Sequence, residues 1–396
     1  MDNLRSLFLL DPEVTFLNHG SYGACPRPVF ARYQAWQMQL ERQPVAFLDP
    51  ARGLSGWMRD ARVAMAGQLG VEADSIVGLT NATEGLNIVA QSLRLNPGDE
   101  ILTTDHEYAA VDKTFAFVAR RSGAVVVPVT IPLPLTDAGA FTDALLAGIT
   151  PRTRVIFLSH ITSATALVFP IAAVIAQART RGIITVIDGA HAPGHIALDL
   201  TALDADYYAG NCHKWLMAPK GSAFLYVRPA LQAGINPLVI SHGWTADAGQ
   251  PGTKGVFGNT PFIDGLEMQG TRDPSAWLTV PDAIAFRAQH GWDQVAARCR
   301  DLVQETAARV AVITGLAALS SPEFCAPQMV ALPLPRCDPM VLKLALLNDH
   351  GIEIPCYDWQ CHTIARVSAQ GYNTQGDMDK LVQALADILP KIAVAA

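Results

Sequence analysis

Between Ile76 and Val227 the sequence alternates short apolar runs, rich in β-branched residues, with longer amphipathic stretches. Residues 100–104, 124–129, 155–159, 183–187, 207–209 and 223–227 have the composition of strands, and 83–93, 109–121 and 172–181 carry a helical period between them. Strands that are apolar on both faces and separated by helices form βαβ units, in which helices cover both sides of a mostly parallel sheet. This pattern dictates a large α/β domain. After Val227 the periodicity loosens into a glycine-rich stretch from Gly249 to Gly258, which has too little apolar content to pack and reads as a loop able to cover or line a site. Helical periodicity returns at 277–288, 292–312 and 378–392, with strand composition at 329–332 and 352–354, so a smaller C-terminal α/β domain is expected.

The 396 residues exceed what one hydrophobic core accommodates, since single cores stop growing near ~250–300 residues. We place the large domain at 15–270 and the small one at 271–396, joined by 1–14. A formal net charge of −7 with no run of lysine or arginine lacks the basic footprint that nucleic-acid binding needs. The opening residues do not read as a leader, and apolar stretches such as 124–135 are broken by Pro128, Pro132 and Pro134, so no membrane contact is expected. Seven scattered cysteines, without disulfide-scaffold or zinc spacing, point to a reducing cytoplasm. Cys356, Cys361 and His362 lie close together, but three groups without a fourth ligand make no metal site, and none is expected.

Parallel sheets bind ligands beyond the carboxyl ends of their strands, and here those ends are unusually polar. Asp105-His106-Glu107-Tyr108, His160-Ile161-Thr162-Ser163, Asp188-Gly189-Ala190-His191 and Asn211-Cys212-His213-Lys214 each follow an apolar run. Lys214 taken alone is a lysine after a strand; in a buried, cationic setting it becomes a nucleophile toward a carbonyl. Asp188 changes the balance, because a carboxylate beneath a pyridine ring keeps the ring nitrogen protonated and the ring an electron sink. Thr80-Asn81-Ala82-Thr83-Glu84-Gly85 opens a helical pattern, and free N–H groups at a helix N-terminus make either a phosphate cradle or an ordinary cap.

These elements, in this order, resemble the class V aminotransferase family of fold-type I pyridoxal 5′-phosphate enzymes. Within it the chain is most similar to the isopenicillin N epimerase-like branch, through the segment from Leu17 to Pro26, Asn211-Cys212-His213-Lys214-Trp215 and Gly270-Thr271-Arg272-Asp273. The resemblance implies the aspartate aminotransferase-like fold and pyridoxal 5′-phosphate as cofactor, held by Lys214 as a Schiff base. It gives Lys214 the α-proton to move, Asp188 the pyridine nitrogen, His191 the ring hydroxyl, and Ala82, Thr83 and His213 the phosphate. Thr271 is expected to reach the phosphate of a neighbouring subunit, making a homodimer with shared sites. His106 is expected to stack on the cofactor, with Tyr108 as the other candidate for that place or as a proton donor. Ser163 falls where relatives often carry an asparagine facing the cofactor. Arg366 matches the family arginine that grips an amino acid carboxylate, a planar anion suited to a guanidinium fork. Asn18, His19 and Ser21 are expected to line the same pocket.

The expected reaction lies at the α-carbon of an amino acid. Epimerisation needs a second acid or base across from Lys214, and Tyr108 or His19 is available. β-Elimination with C–S cleavage needs only Lys214 and a leaving group, and transamination is a third outcome. Cysteine desulfuration needs a thiol on a loop before the carboxylate arginine; neither Cys356 nor Cys361 takes the usual position, so that reaction is disfavoured. A catalytically silent binding protein would have no use for Lys214, Asp188 and Arg366 together.

Overall fold

The computed structural model describes residues 4–250, 252–360 and 362–393. Its centre is a seven-stranded sheet made of β2 (Ile76–Leu79), β3 (Glu100–Thr104), β4 (Val125–Val129), β5 (Thr153–Ser159), β6 (Ile184–Asp188), β7 (Tyr207–Asn211) and β8 (Ala223–Val227). A two-residue strand, β1 (Thr15–Phe16), precedes them outside this sheet. The order across the sheet is β2-β8-β7-β6-β5-β3-β4, with β8 antiparallel to both neighbours and the other pairings parallel. Six of these strands are buried along their whole length, or all but one residue of it, which is why they read as continuous apolar runs. Each face carries its own hydrophobic cluster. One side packs Leu86, Val89, Val111 and Phe115 from the helices after β2 and β3; the other packs Phe141, Ile171, Val174 and Ile175.

The C-terminal part holds a three-stranded antiparallel sheet of β9 (Met329–Leu334), β11 (Cys356–Trp359) and β12 (His362–Ser368), in the order β11-β12-β9. It is backed by the helices Trp292–Thr314 and Pro339–His350, and Gln375–Ile392 packs against both. β1 pairs in parallel with β10 (Ile352–Glu353), and Asn18 bridges to Ser368, so residues 15–18 travel with the C-terminal part. A two-residue strand cannot recruit a partner by local pattern, and the pairing is visible only in three dimensions. The glycine-rich segment is irregular over its described residues, and Pro251 lies outside them. Cys361 also lies outside them.

Candidate active site

Lys214 sits in the connection that turns β7 back into antiparallel β8. That turn is closed by its own backbone: Cys212 donates to the Ser222 carbonyl at 3.0 Å and Ala218 to that of Cys212 at 3.1 Å. Met217, left-handed at φ 63°, donates to the Lys214 carbonyl at 3.0 Å. The Lys214 Nζ lies 3.0 Å from His191 Nε2. Burial first, and then the Arg366 guanidinium, lower its pKa to about 7 against the opposing pull of Asp188. Such an amine is substantially neutral near pH 7 and free to attack a carbonyl.

Asp188 closes β6, buried, with Oδ1 accepting the Ala190 N–H at 2.8 Å. Burial raises its pKa, while the Ala190 bond and the Lys214 charge hold it down. His191 receives the Trp215 indole N–H on Nδ1 at 3.4 Å. Indole only donates, so the proton of the neutral imidazole rests on Nε2, the nitrogen facing Lys214. His213 places Nδ1 3.3 Å from the Ser222 carbonyl, which fixes that nitrogen as the donor and turns Nε2 toward the cavity. Asp188, Ala190, His191, His213 and Lys214 line one pocket with Asn81, Ala82 and Thr83 from the start of the helix Ala82–Ser92.

That helix start differs from expectation in one respect. Asn81 caps the Glu84 N–H at 2.8 Å, and Asn211 Oδ1 takes the Ala82 N–H, also at 2.8 Å. The Ala82 amide is therefore already bonded within the protein, and Thr83 is the first-turn residue left to face a phosphate with both its amide and its hydroxyl. The donor set as a whole fits pyridoxal phosphate: an amine for the aldehyde, an imidazole N–H for the phenolic oxygen, a buried carboxylate for the ring nitrogen and a helix N-terminus for the phosphate.

Arg366, buried in β12, gives Nη1 to the carbonyl and hydroxyl of Ser163 and Nη2 to Ser21 Oγ at 3.0 Å. Its guanidinium lies 5.7 Å from the Tyr357 ring centroid, and its Nε is buried without a partner. Ser21 and Ser163 line the Lys214 pocket, so the arginine stands directly behind that wall.

Three expected residues face elsewhere. His106 is not a pocket wall: its ring is packed 4.8 Å from Trp359 and 5.6 Å from Phe169, with Nδ1 2.9 Å from Thr165 Oγ. Tyr108, two residues on, is the aromatic side chain of that segment that lines the pocket. His19 is fully buried, with Nε2 3.1 Å from the Lys214 carbonyl and Nδ1 2.9 Å from Tyr372 Oη. Burial lowers its pKa to about 3, so it props the lysine backbone as a neutral ring and is no proton carrier for the pocket. Asn18 donates to Glu353 Oε1 at 3.2 Å, tying the N-terminal segment to β10. Thr271 lies in a second cavity, with Ser241, His242, Phe257 and Gly270, away from Lys214 of its own chain. Of the glycine-rich loop, Phe257 lines this second cavity and not the first.

Sequence reasoning passed over Tyr22, Ser159 and Asn211, all of which line the pocket. Tyr22 and Asn211 stand inside motifs read for their neighbours, and Ser159 closes an apolar strand as Asp188 does. Among the described residues no group of three metal-binding side chains comes together, and no helix is long and apolar enough to cross a membrane.

The sequence matches the family described as Aminotransferase class-V over residues 26–381. This chain belongs to the class V aminotransferase family, and it is a pyridoxal phosphate-dependent enzyme. Among relatives of this class V chain, an isopenicillin N epimerase of Amycolatopsis lactamdurans is 38% identical over 392 residues, 98% of each chain. A probable chloroplastic L-cysteine desulfhydrase of Arabidopsis thaliana is 30% identical over 95% of this chain and 83% of its own. The fold matches the cysteine desulfurase CsdA of Escherichia coli with a TM-score of 0.82 at 24% identity, over 98% of both chains.

Proposed function

We propose that this enzyme epimerises an amino acid or amino-acid-derived substrate at its α-carbon. The observation that carries the reading is that Lys214 and Tyr108 line one pocket whose wall is backed by Arg366. When bound, pyridoxal phosphate supplies an electron sink conjugated to the α-carbon. Lys214, neutral near pH 7, takes the α-proton, and Tyr108, 46% exposed and able to exchange with water, returns one from a different direction. Arg366 receives the substrate carboxylate in exchange for its serine partners. Asp188, His191, His213 and Thr83 hold the cofactor. Thr271, remote from its own Lys214, serves the phosphate of a second copy in a homodimer. The described cysteines are all free, which supports a cytoplasmic location.

The desulfhydrase relative favours C–S cleavage as a second reading, since that reaction asks only for Lys214 and a leaving group. A desulfurase is disfavoured: Cys356 lies within β11, and burial pushes its thiol up to about 12, far from a thiolate. Two measurements test the assignment. The purified protein should show a visible absorbance band that borohydride abolishes; a Lys214→Ala protein that kept the reducible band would overturn the lysine's role. Incubation with L-amino acids in deuterated water should put deuterium at Cα and yield the D-isomer. Pyruvate with sulfide and no D-isomer would decide for the lyase.

A further inference from the structure

The sheet changes direction between β3 and β5. From β3 the chain runs outward to β4, and from β5 it runs the other way to β6, so the crevice between these two strand ends is the topological switch point. The β3–β5 ladder stops at Leu102 and Ile156, yet β3 continues to Thr104 and β5 to Ser159. Beyond the ladder the two strands need something between them.

Glu107 stands there. Its Oε2 accepts the Ser159 N–H at 2.8 Å and the Ser159 hydroxyl at 2.6 Å, and its Oε1 accepts the Thr104 hydroxyl at 2.7 Å. The next amide, His160, donates the other way, to the Asp188 carbonyl at 2.8 Å. The Ser159 N–H therefore points toward β3, and the carboxylate takes the bond a longer ladder would have made. Ser159 lines the pocket and sits opposite Asp188 in the β5–β6 register. Glu107 also immediately precedes Tyr108.

We propose that Glu107 is a positioning residue that ties the β3 and β5 ends together at the switch point and sets a second carboxylate behind Asp188, the residue that would hold the cofactor's ring nitrogen. Packing crowds the carboxylate although a little side-chain surface stays accessible, and burial pushes its pKa up to about 8 against the Ser159 and Thr104 bonds. The charged groups acting on it are Asp188 at the end of β6 and Asp112 on the helix Ala109–Ser122, both anionic. With a cation held at Asp188, Glu107 would release its proton to solvent, and the two carboxylates together would hold that cation more firmly than Asp188 alone.

The role rests on the cofactor site proposed above, and its test separates the two. Glu107→Gln retains all three bonds with the Thr104 hydroxyl reversed, so it removes charge and keeps the tie; Glu107→Ala removes both. With Glu107→Gln, the pH midpoint of the holoenzyme's visible band should fall by about one unit, and cofactor affinity should fall with it, by less than in the alanine variant. With Glu107→Ala, titration of the apo-protein followed by tryptophan fluorescence should show cofactor affinity down about tenfold, the loss of a charge-assisted bond pair. A Glu107→Gln midpoint that does not move overturns the proposal, even where the alanine variant fails to fold. An intact native band that Lys214→Ala abolishes would show in that case that only the role of Glu107 has failed.

Discussion

Lys214 loses its proton near neutrality because water is excluded around it and Arg366 stands close by, while Asp188 pulls the other way. The neutral amine attacks the cofactor's aldehyde, so the sign of each effect is testable. The rate at which apo-protein captures pyridoxal phosphate should rise with pH and level off above about 7. Arg366→Gln removes a neighbouring cation and should move that midpoint up, whereas Asp188→Asn removes an anion and should move it down, each by about one unit. Stopped-flow absorbance across a pH series measures both, and shifts in the same direction would refute the electrostatic account. Lys214, Asp188 and Thr83 were legible because each follows an apolar run, where a polar side chain has few other reasons to be, whereas Arg366 came from the resemblance of the segment around it. His106 misled for a physical reason. The slot that holds its ring is finished by Trp359, far away in the chain, and no local pattern announces that contact.

At the level of elements, the strands were readable and their ends nearly so, because a strand buried on both faces leaves an unbroken apolar signature. The helices Arg27–Arg42 and Ser55–Leu69 were not read: the first buries only Val29 and Trp36, and a helix with two inward residues has almost no period to detect. The bracing role of the N-terminal segment was the larger omission. Its residues look like a loop, yet they brace the lysine turn, with Gly23 pressed against it. A Cβ on Gly23 would lie 2.0 Å from the His213 carbonyl oxygen, and the residue holds φ 71°, which L side chains rarely adopt. Gly23→Ala should destabilise the protein by more than about 2 kcal/mol and weaken cofactor binding together with it. Thermal denaturation with and without pyridoxal phosphate checks this; a variant with native melting would mean that the segment does not press on the turn.

For the whole molecule, the separation of Thr271 from Lys214 is the consequential fact. Two copies that share sites place Lys214 of one and Thr271 of the other around each phosphate, whereas a self-contained subunit leaves Thr271 idle. Co-expression distinguishes these arrangements. Thr271→Ala alone should weaken cofactor binding about tenfold, the scale of one hydrogen bond to a charged group, and Lys214→Ala alone should abolish the reducible band. In a hybrid of the two variants, one site combines both lesions. The other receives a native Lys214 from the first subunit and a native Thr271 from the second. The hybrid, purified with two different affinity tags, should therefore regain one site of native affinity per dimer, read as half the native borohydride-sensitive absorbance. If Thr271 instead served its own chain, every site in the hybrid would carry one lesion, and no native-affinity site would return.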